Sequence, residues 1–158
     1  MRKMLLFSVV GALLLSGCGT ASLKTSQAND PSRFTYTRVY CTPDAESHFQ
    51  NVTVDLRKVS FAPPAPPIYI GGSVPATSAF FGAFEPRWGA HDLENHLNHP
   101  VPAIQFVTVL QGVLSLITTD GETRRFRAGD VVRVEDIAPC KGHIAVWGDQ
   151  PGYLMFAR

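Results

Sequence analysis

Apolar and polar positions divide the 158-residue chain into three stretches of different character. Leu5 to Leu15 is an apolar run broken only by Ser8 and Gly11, with Arg2 and Lys3 before it and Ser16 and Gly17 after it. Residues 19–32 are small and polar, with almost nothing to bury, and read as a flexible tether. From Arg33 onward, short segments rich in Val, Ile, Phe, Tyr and Thr alternate with Gly, Pro and Asp punctuation. No stretch there keeps a clean helical period. The pattern predicts strands at about 34–40, 50–60, 67–71, 77–84, 104–110, 113–118, 122–127, 131–135, 143–147 and 152–157. Ten short strands imply an all-β sandwich or barrel, with no internal repeat.

Local chemistry refines that outline. Thr119-Asp120-Gly121-Glu122 is the clearest turn, because Asp-Gly supplies the positive φ angles of a two-residue hairpin. Ala128-Gly129-Asp130 is a second tight turn. The segment from Ala62 to Pro67 lacks nearly all backbone donors, so it is expected outside any sheet interior. An extended crossing strap is the first reading of it and a Pro-rich recognition ligand the second. Along Ile104 to Leu110 two apolar sets interleave, Ile104 with Phe106 and Val107 with Val109. That strand is expected to be buried on both faces or to pair across a dimer interface.

The N-terminal run is too short to be a permanent span. An apolar helix of about 11 residues rises only about 16 Å, against a bilayer core of about 30 Å. Its layout is that of an export signal. The sequence Leu15-Ser16-Gly17-Cys18 resembles the bacterial lipobox, which implies cleavage before Cys18 and lipid on its thiol. An ordinary secretory signal with a chance cysteine is the other reading. Two acyl chains suffice for stable anchoring. Three regions follow: a signal peptide at 1–17, the lipidated cysteine and tether at 18–32, and one domain at 33–158. The expected address is the periplasmic face of the cell envelope. By resemblance to enterobacterial lipoproteins, Gly19 after the cysteine leans towards the outer membrane.

Excision of residues 1–17 leaves enough chain for one compact domain. It also removes Arg2 and Lys3, so 14 basic side chains become 12 against 13 acidic ones. That balance argues against a nucleic-acid partner, which needs a basic face. Arg124, Arg125 and Arg127 cluster locally and read as an exposed hairpin flank rather than a phosphate site. With Cys18 lipidated, Cys41 and Cys140 remain. In an oxidising compartment they either form a disulfide or stay as two partly buried thiols.

The segment from Asn98 to His143 resembles the cupin family of small β-barrels. Two motifs carry the match: His99 to Gly112, and Gly129 to His143 with Lys141-Gly142 before the histidine. Glu46-Ser47-His48-Phe49 and the Pro-rich segment after Phe61 also look like a group of small bacterial cupins without an assigned reaction. The resemblance implies a double-stranded β-helix, the cupin jelly-roll barrel, from about Arg33 to the C-terminus. In metal-binding cupins the first motif offers two histidines and a glutamate, and the second a further histidine. Here His99 and His143 match, Val101 stands at the second histidine's place, and Gln105 stands where the glutamate belongs. The metal the family implies (Zn, Fe, Mn or Ni) therefore carries over poorly, since the balancing negative charge is gone. A non-standard set could join His99 and His143 with His96 or Cys140. His91, Glu94 and His96 read first as solvated loop residues.

Expected pocket residues are His99, Gln105, His143 and Trp88. Phe80, Phe81, Phe84 and Trp147 are candidate apolar walls, at least three of these five aromatics being ordinary core. Arg87 is a further polar group to watch. Three functions compete: a small-molecule-binding lipoprotein, a metal-dependent dioxygenase or isomerase with a depleted ligand set, and a structural or partner-binding lipoprotein. A C2 homodimer is the default assembly. No hydrolase set can be assembled from recognisable local motifs, and no Gly-rich phosphate loop or Cys-x-x-Cys spacing is present.

Overall fold

The computed structural model describes residues 30–158. The expectations for the export signal, for Cys18 and for most of the tether lie outside these residues.

Alternation of apolar and polar side chains builds the strands. In β7 (Val113–Thr118) Leu114, Leu116 and Thr118 are buried while their neighbours are half-buried. In β9 (Val131–Val134) Val132 and Val134 point inward. In β6 (Gln105–Gln111) Gln105, Val107 and Val109 share the inner face. The double burial expected for β6 is not found. Ile104 and Leu110 are exposed, and Phe106 packs on the outer face, edge-on to Tyr36 and under the Arg133 guanidinium. One inner face suffices because a second sheet covers only that side.

Six strands form the larger sheet, in the order β2 (Ser47–Asp55), β1 (Arg33–Cys41), β9, β6, β11 (Gly152–Ala157) and β5 (Ala79–Phe84). The smaller sheet is β10 (His143–Trp147), β7 and β8 (Thr123–Arg127). β1 runs parallel to β9, and the other pairings between these strands are antiparallel. Buried side chains of both sheets form one core, including Val39, Val107, Val109, Val132 and Leu154 from the larger and Leu114, Leu116, Phe126 and Trp147 from the smaller. Phe49 of β2 meets Phe126 of β8 across the gap at 6.3 Å. The protein is therefore mostly β, two sheets around a shared core, without a closed barrel.

Three local expectations change. The predicted strand at about 50–60 is two elements, β2 and the short β3 (Arg57–Val59), which pairs only with β4 (Ile68–Ile70). The Pro-rich segment at 62–67 is consequently the loop of that hairpin, turned by Ala65 N–H donating to Ala62 O at 2.9 Å, and not a crossing strap. The crossing falls to residues 71–78. These leave the β2 edge at Gly71, beside Asp55, and reach the β5 edge where Thr77 N–H donates to Arg158 O.

The turn at 119–121 is three residues wide, closed by Thr118 N–H to Glu122 O at 3.0 Å. Only Gly121 has a positive φ, 86°. Asp120 acts through its side chain, accepting from Thr118 Oγ1 at 2.6 Å and from Glu122 N–H at 3.0 Å. This is the wider hairpin in which a left-handed glycine closes the loop. A short helix the strand pattern gave no sign of, α1 (Ala90–Glu94), follows Gly89 and has no buried residue.

Cys41 and Cys140 form a disulfide, with Cα atoms 5.9 Å apart and a sequence separation of 99. The bridge ties the end of β1 to the turn before β10. Further bonds fasten the same place: Lys141 N–H donates to Ala45 O at 2.9 Å, Ser47 Oγ donates to Gly142 O at 2.7 Å, and the Lys141 ammonium pairs with Glu46. Ser47 is fully buried.

Candidate functional site between the sheets

The same fastening fixes His143. Gly142 has φ 85°, and a Cβ there would fall on the His99 carbonyl. With no side chain at 142, His99 and His143 lie directly opposite as an isolated antiparallel bridge. They exchange N–H···O bonds of 2.9 and 3.1 Å, and their rings are 5.3 Å apart.

Both histidines line a cavity of about 180 Å³ between the sheets, open to the surface on one side. Its walls are apolar: Val107, Val132 and Leu154 on one side, Leu114, Leu116 and Ala145 on the other. Along β10, residues 143, 145 and 147 all contribute to the lining, so His143 and Trp147 stand at its two ends, about 13 Å apart along the strand. Gln105 is opposite Val134 in the β6–β9 ladder, two residues from Asp136, which places it at the His143 end. The cavity thus has one polar end and one aromatic end. No Lys, Arg, Asp or Glu occurs among its described lining residues.

Behind His143 sits Asp136. Its Oδ2 lies 2.6 Å from His143 Nδ1, and the side chains are 0% and 5% exposed. Its other oxygen, Oδ1, is buried without a protein partner, and so is the indole N–H of Trp147. Since a carboxylate only accepts, the short contact assigns a proton to Nδ1 and leaves Nε2 as the ring nitrogen turned from Asp136. His99 is held below its ordinary pKa of 6.5, first by burial and then by the neighbouring His143, with Asp92 and Asp136 pulling the other way. It is neutral at neutral pH. The polar end therefore offers a neutral imidazole, an oriented imidazole and the Gln105 amide.

His99, Gln105, His143 and Trp88 all line this one cavity. Trp88 stands at its rim, held by Trp147 N–H donating to Trp88 O at 2.9 Å and by an edge contact with Phe84 at 5.1 Å. Of the other aromatics, Trp147 is core and Phe84 packs against it. Phe80 and Phe81 are not walls. β5 is an edge strand, Phe81 points out and is 76% exposed, and Phe80 stacks on Phe156. Arg87 is exposed on the turn before α1, outside the cavity. Val101 is buried in the lining. Arg124 is committed to Glu122, Asn51 and the Phe49 ring.

The donor set does not suit a transition metal. Among the described residues no three His, Cys, Asp or Glu side chains converge. Cys140 is committed to the disulfide, and His96 is exposed. Two imidazoles and a neutral amide supply no charge to balance a divalent ion.

Asp136 is the residue that the motif reading passed over. Its signal is strand parity: it continues the inward series Val132, Val134, Asp136, and a carboxylate on a buried parity needs a partner. Neither a protein-family model nor a curated protein matches the chain.

Proposed function

We propose that this chain is an envelope-anchored, cupin-type lipoprotein that holds a small single-ring organic molecule between its two sheets. The observation that carries the reading is the cavity of about 180 Å³ with apolar walls and one polar end. An apolar cavity of about 150 Å³ accepts benzene, so the space suits one ring with a polar substituent. Apolar surface supplies the binding energy, and the few convergent polar groups set orientation. The jelly-roll assignment draws on the two motifs between His99 and His143, together with two sheets that share one core. The anchor draws on Leu15 to Cys18, and the Cys41–Cys140 bridge suits the oxidising side of the membrane.

The partner-binding reading has its own observation, the exposed apolar residues of the β3–β4 arm and of β5. The metal-dependent enzyme reading would draw on His99, Gln105 and His143.

Thermal melting with benzene, phenol, aniline and benzoate separates the three. Small-molecule binding is expected to raise the midpoint with at least one ring compound. An Ala145→Leu variant, which narrows the cavity, is expected to lose that shift. No shift with any compound, together with stoichiometric metal retained by wild type and lost by His99→Ala, would turn the reading to the metal-dependent alternative. No shift and no metal, with a co-purifying envelope protein, would turn it to partner binding.

A further inference from the structure

Resting on the cavity being a binding site, we propose that its polar end takes the hydroxyl of a phenol. The hydroxyl hydrogen-bonds to His143 Nε2, and Asp136 is the residue that positions the imidazole.

Each property of the ligand follows from a feature of the wall. The 2.6 Å contact with Asp136 commits Nδ1 as donor, so Nε2 faces the cavity as an acceptor. No protein hydrogen bond among the described residues satisfies Nε2 or the Gln105 side-chain amide. A ligand must therefore bring a donor for the imidazole and an acceptor for the amide, and a single hydroxyl does both. The lining carries no fixed cation, so a carboxylate ligand would be desolvated without a counter-charge. The molecule enters neutral. Phe84, Trp147 and Phe156 line the rest of the space and favour a ring.

The hydroxyl donates one hydrogen bond to Nε2 and accepts one from the Gln105 amide, so both polar groups of this end are satisfied at once.

The test is the affinity of the full chain for 4-nitrophenol against that for nitrobenzene, which lacks the hydroxyl. Nitrobenzene is expected to bind about tenfold more weakly. Asp136→Asn is expected to abolish that preference, a loss of selectivity that a purely structural role would not give. Should Asp136→Asn not fold, the wild-type comparison decides. Equal affinities for the two compounds would overturn the phenol proposal and leave the cavity reading standing. Binding of neither would overturn both.

Discussion

The two-sheet core and the β3–β4 arm use the same kinds of side chain and treat them in opposite ways. Val39, Val109 and Val132 are wholly enclosed in the core. In the arm and the strap after it, Val59, Phe61, Ile68, Tyr69, Ile70 and Val74 are all exposed. The difference lies in what each segment can pair with. β6, β7 and β9 each have a strand on both sides and a second sheet above. β3 and β4 have only each other, joined by a loop with few backbone donors. Apolarity nominates residues for burial, and strand pairing decides which of them achieve it.

The contrast breaks first on core truncation. Leu116→Ala removes a buried side chain that also lines the cavity, and about 2–5 kcal/mol is expected in urea unfolding. Replacing both Cys41 and Cys140 by Ser releases the turn before His143 and is expected to cost about 2–4 kcal/mol. Asp136 comes next. Asp136→Ala leaves His143 Nδ1 buried without its partner and is expected to cost about 1.5–3 kcal/mol by the same measurement. A loss under 1 kcal/mol would mean that the pair is not held as described.

Smaller still is the effect of pH through His99. Its pKa in the folded protein lies below the ordinary 6.5, so the unfolded chain binds the proton first as pH falls. Stability that is fully present above pH 6.5 is therefore lost progressively below it. His99→Gln is expected to flatten that part of the stability–pH curve. The smallest effect belongs to the arm, where Phe61→Ser and Ile70→Thr are each expected to change stability by less than about 0.5 kcal/mol. A loss of 2 kcal/mol or more at either position would mean that the arm is packed in an assembly, and the comparison would then be between a core and an interface.

Strand parity made most of the sandwich legible from the sequence. The alternation in β7 and β9 and the glycines at 121 and 129 placed the strands of the core half to within a residue or two. Pairing is a long-range property, and there the reading was coarser. Nothing in residues 50–60 tells that the chain leaves one sheet at Leu56 and starts another pair at Arg57. Phe80 and Phe81 look alike in sequence and are separated only by which side of an edge strand each occupies. For the cavity, motif matching supplied His99, Gln105 and His143. Asp136 needed the parity of β9 to be carried one step past the strand end. Spacing alone does not pair Cys41 with Cys140; the fold does, by setting the β1 terminus beside the 137–140 turn.

Methyl NMR of Ile, Leu and Val groups during a phenol titration tests the cavity against the arm in one experiment. Shifts are expected at Val107, Leu114, Leu116, Val132 and Leu154, with Val59, Ile68, Ile70 and Val74 unmoved. Shifts at the arm with the cavity methyls silent would contradict binding between the sheets.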